Sequence, residues 1–194
     1  MATDAAEVRL TPKDLLRFCR DGHKFDTSKP FVRDGFLWAT NHVLMVRIPF
    51  DGPNTVPSPT DRPFPDVVRV WGQFMGDSEF TPLPDKTWNV IPCWACEKSG
   101  SCQCETCQEG GDYLCECPCC DGDKEVFFPR ECKIGANRID SKYDRMIRDL
   151  PGLVVYQRDD PNNLTGISFK FSGGGEGLLM PMEWDKPKKE TNGD

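Results

Sequence analysis

The feature that most constrains this chain is a dense cluster of cysteines. Nine of its eleven cysteines lie in the segment IPCWACEKSGSCQCETCQEGGDYLCECPCCDGD, which begins at residue 91. Three C-x-x-C pairs stand in this segment: Cys93/Cys96, Cys104/Cys107 and Cys117/Cys120. A two-residue spacer lets a tight turn aim both sulfur atoms at one ion about 2.3 Å away. The segment therefore predicts a metal-binding module.

The spacing favours two nested zinc sites, because each zinc ion takes four ligands in a tetrahedron. We expect an outer site formed by Cys93, Cys96, Cys117 and Cys120. We expect an inner site formed by Cys102, Cys104, Cys107 and Cys115. Cys119 is left over, as a ligand that could exchange with Cys117 or Cys115. Cys19 and Cys132 lie far from the cluster and are expected to be small buried hydrophobic residues.

Other uses of the cysteines are open but less favoured. The N-terminus, MATDAAEVRL, lacks the pattern of a secretory signal, and no stretch is apolar enough to span a membrane. We therefore expect a cytoplasmic protein, in which disulfides are rare. A three-metal cluster, an iron–sulfur centre and a redox C-x-x-C pair are the remaining alternatives. Trp94, Tyr113 and Leu114 favour a small packed module over a bare cluster.

The charge of the chain limits its partners. The formal net charge is −7, and the cysteine segment itself is acidic. Such a balance disfavours indiscriminate binding to nucleic acid, although it leaves room for a local basic face.

The first half of the chain reads as a helix followed by strands. Thr11 and Asp14 have capping-box spacing at the start of a helix. Residues 29–50 predict a β-hairpin with its turn at Asp34-Gly35. Residues 51–65 contain five prolines and predict a loop. The segment VVRVWGQF, 67–74, predicts a further strand.

The second half repeats this order. Residues 124–139 predict two short strands, Ser141 and Asp144 repeat the capping spacing of a helix, and three strands follow. We therefore predict an α+β fold of two strand–helix–strands halves interrupted by a zinc module. The predicted divisions are residues 1–90 for the first half, 91–125 for the module, 126–183 for the second half and 184–194 for a disordered tail.

Three separated blocks resemble the bacterial-type DNA sliding clamp, or beta subunit, family. They are DGFLWATNHVLMVRIP, KIGANRIDSKYDRMIRDLPG and ISFKFSGGGEGLLMPM, in the order of that family, and with their surroundings they cover about half of the chain. The turn at residues 39–44 is one glycine short of the family pattern and lacks its basic residue. The cysteine segment is instead similar to the zinc domain of J-domain co-chaperones, without the regular C-x-x-C-x-G-x-G repeats.

The clamp resemblance implies a DNA-binding surface and a peptide pocket. Clamp helices line the DNA channel, and the basic residues on the two helices here are Lys13, Arg17, Arg20, Lys142, Arg145 and Arg148. The simpler interpretation is the solvated face of an amphipathic helix. The residues that match the family's peptide pocket are Thr40, His42, Leu44, Met180, Pro181 and Met182. Because the chain has one such domain, we expect the two parts of this pocket to meet only between copies in a homo-oligomer. For Met180, Met182 and His42, a structural role is the competing interpretation.

No enzyme signature is present. The sequence GGGEG lies between strands, where it predicts a hairpin turn, and no nucleophile has an evident histidine partner. We therefore expect a non-catalytic, clamp-like zinc protein that acts in DNA replication or repair by binding DNA or a replication protein. The alternative is a zinc-dependent protein-interaction or chaperone-like adaptor unrelated to DNA.

Overall fold

A six-stranded antiparallel sheet organises the computed structural model of the chain, with strands in the order β1-β2-β3-β12-β11-β10. The structure describes residues 10–20, 24–56, 62–74, 79–103, 114–117, 119–120, 124–156 and 166–181. The strands in the sheet are β1 (Phe31–Arg33), β2 (Phe36–Thr40), β3 (Leu44–Pro49), β10 (Val154–Val155), β11 (Ile167–Phe171) and β12 (Gly175–Leu179). Each half of the chain thus contributes three strands, and β3 pairs with β12 where the halves meet.

Three antiparallel two-stranded ribbons and three helical segments complete the described residues. The ribbons pair β4 (Asn89–Pro92) with β7 (Glu125–Phe128), β5 (Ser101–Gln103) with β6 (Leu114–Glu116), and β8 (Glu131–Ile134) with β9 (Asn137–Asp140). The helices are a 3₁₀ helix at Asp14–Phe18, α1 at Val67–Phe74 and α2 at Ser141–Arg148. This mixture of helices and mainly antiparallel strands agrees with the predicted α+β class.

The turn predicted at Asp34-Gly35 is confirmed, but residues 29–50 form three strands rather than a hairpin of two, because residues 41–43 separate β2 from β3. Asp34 and Gly35 have φ angles of 52° and 76°, and they join β1 to β2. Positive φ at both central residues is the requirement of a type I′ turn, whose twist matches that of the flanking strands. Alternation along β2 then places Leu37 and Ala39 on one face of the sheet and Trp38 on the other.

The expected helix near Thr11 is one short turn of 3₁₀ helix. Its cap forms as the spacing predicts: the Thr11 backbone N–H donates to Oδ2 of Asp14 at 2.7 Å. The Thr11 hydroxyl donates to the same carboxylate oxygen, also at 2.7 Å. These hydrogen bonds lower the pKa of Asp14 below its usual value. Leu15 and Phe18 are fully buried and anchor the turn on the sheet.

The prediction of a strand at residues 67–74 is wrong, because this segment is the helix α1. The β-branched valines suggested a strand, but Val67 and Trp71 are four positions apart and bury together on one helix face. The carboxylate of Asp66 caps the helix by accepting a hydrogen bond from the Arg69 backbone N–H at 3.3 Å. Local capping and tertiary packing have therefore outweighed β propensity.

The two faces of the sheet carry separate apolar clusters. The larger cluster includes Leu15, Phe18, Leu44, Ile147, Phe169 and Leu179, and it lies under the 3₁₀ helix and α2. The smaller cluster joins Phe31, Trp38 and Leu178 of the sheet to Val67 and Trp71 of α1. The sheet is therefore covered on both faces, and the cysteine segment extends from a ribbon outside it.

Candidate metal centre

Four buried cysteines converge at the end of the β4–β7 ribbon. The ligand atoms of Cys93, Cys96, Cys117 and Cys120 all lie within 4.8 Å of one another. The sulfur atoms of Cys93 and Cys117 are 3.8 Å apart, and those of Cys96 and Cys120 are 3.7 Å apart. A zinc ion at about 2.3 Å from four sulfurs requires edges of about 3.8 Å between them. These four residues, the expected outer set, therefore fit a tetrahedral metal ion.

The two C-x-x-C pairs are held by corresponding backbone hydrogen bonds. Gly100 follows Cys96 by four positions, and Lys124 follows Cys120 by four positions. Both have a positive φ, 80° for Gly100 and 68° for Lys124. The Gly100 backbone N–H donates to the Cys96 sulfur at 3.3 Å, and the Lys124 backbone N–H makes the corresponding bond to Cys120. Backbone donors to sulfur favour the thiolate form that binds metal.

Backbone hydrogen bonds also link the two C-x-x-C pairs to each other. The Cys93 backbone N–H donates to the carbonyl oxygen of Lys124 at 2.8 Å. The Cys117 backbone N–H donates to the carbonyl oxygen of Gly100 at 2.9 Å. The first cysteine of each pair is thus fixed by the residue that ends the opposite turn. This approximate two-fold arrangement orients the four sulfurs through backbone hydrogen bonds.

The electrostatics of the site suit a cation. Burial opposes ionisation of Cys93, but hydrogen bonds from the Cys96 and Ala95 backbone, together with neighbouring thiols, lower its pKa to about 6. Burial and hydrogen bonds to the other cysteines raise the pKa of Cys120 to about 12. Several thiolates packed together repel one another, and a bound divalent cation offsets that repulsion.

The described cysteines form no disulfides with one another. Those whose side chains the structure describes are all free: Cys19, Cys93, Cys96, Cys117, Cys119, Cys120 and Cys132. The separations of 3.7 and 3.8 Å within the centre are far from the roughly 2.05 Å of an S–S bond. Cys119 is half-buried and stands outside the group of four, and burial and its contact with Cys93 raise its pKa.

The expected inner set is described only in part. Cys102 on β5 and Cys115 on β6 are direct partners across the antiparallel pair. Cys104 and Cys107 lie outside the described residues, so the inner site stays a prediction.

The two isolated cysteines lie where a small hydrophobic residue is expected. Cys132 belongs to the larger apolar cluster, and Cys19 is half-buried against it. Burial raises the pKa of each thiol to about 11. Burial therefore disfavours the reactive thiolate form of both residues.

The six basic residues predicted to contact DNA fall into different environments. Lys13, Arg17, Arg20 and Arg145 are exposed, and Lys142 is half-buried. Arg148 instead turns back along α2, where its Nε donates to Oδ2 of Asp144 at 2.9 Å. The i, i+4 spacing of this acid and base is a sequence signal that could have identified the internal pair.

The two segments of the predicted peptide pocket are neighbours within one chain. The Met180 backbone N–H donates to the carbonyl oxygen of Val43 at 2.8 Å, continuing the β3–β12 pairing. The expectation that these segments meet only between copies is therefore wrong, since the sheet itself places them side by side.

The side chains of the pocket residues have mixed surroundings. Thr40 and Leu44 are buried, while Met180 and Pro181 are half-buried. His42 is exposed, with φ at 74°, and its Nε2 lies 3.1 Å from the Thr27 hydroxyl. Met182 lies outside the described residues.

Sequence reasoning missed the part that Lys124 plays in the metal centre. Lys124 follows Cys120 by four positions, as Gly100 follows Cys96, so the equal spacing of C-x-x-C-x-x-x-G and C-x-x-C-x-x-x-K was the available signal. None of the described helices is long and apolar enough to cross a membrane. No family model matches the chain, and neither curated proteins nor solved structures include a significant match to it.

Proposed function

We propose that this protein is a non-catalytic binding protein whose interaction module is folded around zinc. The observation that carries the proposal is the tetrahedral spacing of four buried sulfurs, held by corresponding backbone hydrogen bonds at the two C-x-x-C pairs. A site with four protein ligands and no open position is typical of structural rather than catalytic zinc. The ion would supply the folding free energy that a polar, glycine-rich segment lacks.

We propose a second zinc ion in the inner set. The pairing of Cys102 with Cys115 supports this proposal, because it brings two of the four cysteines to one place on the β5–β6 ribbon. Cys104 and Cys107 form a C-x-x-C pair in the connection between these strands. They would complete the four thiolates that a second ion needs.

Native mass spectrometry before and after treatment with a strong chelator tests this proposal. It reads the identity and number of metal ions together with the oligomeric state. Two zinc ions per chain would support both sites, and a single ion lost on Cys96→Ser would restrict the proposal to the outer site. A purified protein without metal would overturn the proposal. So would a protein whose mass is lower by two hydrogen atoms for each pair of cysteines, because that loss indicates disulfides.

A second candidate function is a clamp-like role in DNA replication or repair. The six-stranded sheet supports it, because three strands come from each half of the chain and join at β3 and β12. Among the exposed cations, Arg17 lies on the 3₁₀ helix and Arg145 on α2, while Lys13 and Arg20 flank the 3₁₀ helix. The two segments of the predicted peptide pocket also adjoin one another. In a clamp-like role, this pocket would bind a clamp-binding peptide or a replication protein.

A DNA-binding assay distinguishes this candidate function from a zinc-dependent binding protein unrelated to DNA. Binding of a labelled duplex should weaken with salt, and it should weaken further when Arg17, Arg20 and Arg145 are replaced by glutamine. Arg69→Gln is the matched control, since Arg69 is an exposed cation on α1. No duplex binding at low salt, or equal losses for Arg69→Gln and the triple variant, would count against a clamp-like role.

A further inference from the structure

A fifth cysteine lies beside the metal centre. Cys119 packs against the cluster that the four buried cysteines form, but its sulfur is not among the four that lie within 4.8 Å of one another. Its thiol contacts Cys93 and lies close enough to Cys117 for their charges to interact. Because Cys93 and Cys117 are two corners of the tetrahedron, Cys119 lies against one edge of the centre. A four-coordinate ion would leave this thiol unbound.

The fifth thiol is more exposed than the four ligands. Cys93 is 1% exposed and Cys117 is fully buried, and Cys96 and Cys120 are buried as well. Cys119 is half-buried. Of these five thiols, Cys119 is therefore the one that solvent reaches best, and it borders the edge formed by Cys93 and Cys117.

The two sulfurs in contact would differ in chemistry once a metal ion is bound. A ligand cysteine is held as thiolate, the form that attacks electrophiles, whereas a cysteine outside the coordination sphere is free to react as a thiol. Peroxides oxidise a thiolate to a sulfenic acid, which condenses with a neighbouring thiol to give a disulfide. Cys117 is also near Cys93, but it is itself a ligand. Cys119 is therefore the thiol placed to resolve an oxidised Cys93.

From these observations we infer that Cys93 and Cys119 form a redox switch, in which a peroxide joins them by a disulfide and the outer zinc ion is released. The Cys93 thiolate attacks one peroxide oxygen and the O–O bond breaks, which leaves Cys93 as a sulfenic acid. The Cys119 thiol then attacks the Cys93 sulfur, and the S–O bond breaks as the S–S bond forms. Overall, one thiolate, one thiol, one hydrogen peroxide and one proton from water give one disulfide and two water molecules.

The consequence of this oxidation is loss of the metal and of the order that it supplies. Without Cys93 the centre keeps three of the four thiolates that a structural zinc site needs, so its affinity for zinc falls. Metal binding and folding are coupled in such modules, and release of the ion therefore loosens the segment around it. This inference rests on the proposed function, because the switch acts on a centre that holds zinc.

Zinc release by hydrogen peroxide tests the inference. The zinc-loaded full chain is treated with hydrogen peroxide beside a colorimetric zinc chelator, and disulfides are located by mass spectrometry of the digested protein. We expect zinc release together with a Cys93–Cys119 disulfide, and dithiothreitol should restore zinc binding. Cys119→Ser should slow the release by about tenfold or more, because the intramolecular thiol is lost. Cys19→Ser is the matched control, at a half-buried thiol that packs against the larger apolar cluster, and it should release zinc at the original rate.

The zinc content before oxidation separates this inference from the proposed function. A purified original protein without zinc would overturn the proposed function itself. A zinc-loaded protein that releases its metal as fast in Cys119→Ser as in the original chain would overturn the inference and leave the proposed function intact. A disulfide within a C-x-x-C pair, such as Cys93–Cys96, in place of Cys93–Cys119 would have the same meaning, and so would a centre that keeps all its zinc under peroxide.

Discussion

Arg148 donates a hydrogen bond from Nε to Oδ2 of Asp144 at 2.9 Å, one helical turn back along α2. The Asp144 side chain is fully buried, and Arg148 is 16% exposed. Lys86 approaches the same oxygen at 3.8 Å, and it also lies over the ring of Trp88. Since a buried carboxylate needs compensating partners, these cations make Asp144 compatible with the core.

Replacing Arg148 with methionine should destabilise the protein. The substitution keeps apolar bulk but leaves Asp144 with Lys86 as its more distant cation, so we expect a loss of about 2–3 kcal/mol in the free energy of unfolding. Urea denaturation measures this loss. Arg145→Met, at an exposed residue of the same helix, should change it by less than about 0.5 kcal/mol. Equal effects for the two variants would contradict the internal role of Arg148.

A second prediction separates the metal ligands from the extra cysteine. Cys120→Ser should remove the outer zinc ion, because hydroxyl oxygen is a poor replacement for thiolate in a closed four-sulfur site. Cys119→Ser should retain that ion, since Cys119 stands outside the group of four. Metal content by native mass spectrometry checks both variants. Zinc lost from Cys119→Ser and kept in Cys120→Ser would reverse the assignment of the ligands.

A third prediction concerns two glycines with opposite surroundings. A Cβ atom on Gly177 would come within 1.9–2.6 Å of the Phe169 ring, its cross-strand partner, whereas one on Gly72 in α1 would meet nothing within 4 Å. Gly177→Ala should therefore cost about 1–3 kcal/mol through overpacking. Gly72→Ala should stabilise the protein by about 0.5–1 kcal/mol, since alanine is the better helix residue. Thermal unfolding should move the two midpoints in opposite directions.

Sequence pattern predicted the parts of the fold that depend on local chemistry. The turn at Asp34-Gly35 requires residues that tolerate positive φ, and the outer ligand set requires C-x-x-C spacing, so both were predictable. The helix α1 was missed because its valines favour a strand when taken alone. Its helical state depends on the cap at Asp66 and on burial of Trp71 against Trp38 of the sheet.

Long-range pairing was the other part that sequence pattern could not supply. Residues 43 and 180 adjoin because β3 pairs with β12, a contact between strands from opposite halves of the chain. Nothing in the local sequence of either strand specifies this partner. The approximate two-fold arrangement of the metal centre also depends on long-range backbone bonds, although the spacing of Gly100 and Lys124 hinted at it.

The last prediction uses the thiols outside the metal centre. Burial, followed by the nearby Asp144 carboxylate, raises the pKa of Cys132 from 9.0 to about 11, and burial raises the pKa of Cys19 to about 11 as well. At pH 8 the thiolate fraction of each folded residue should be about 100-fold below that of a free cysteine. Iodoacetamide should therefore modify both slowly in the folded protein and rapidly in urea, as mass spectrometry of digested protein would show.

The same shift sets the direction of the pH dependence of stability. Because the folded pKa lies above the unfolded value, the unfolded chain releases these protons first as the pH rises. The contribution of Cys19 and Cys132 to stability is complete below about pH 9, and it is lost as the pH rises towards 11. Replacing both by alanine should flatten the decline between pH 9 and 11, because alanine has no proton to release. An unchanged decline in the double variant, with rapid alkylation of both thiols at pH 8 in the original protein, would contradict their burial as neutral thiols.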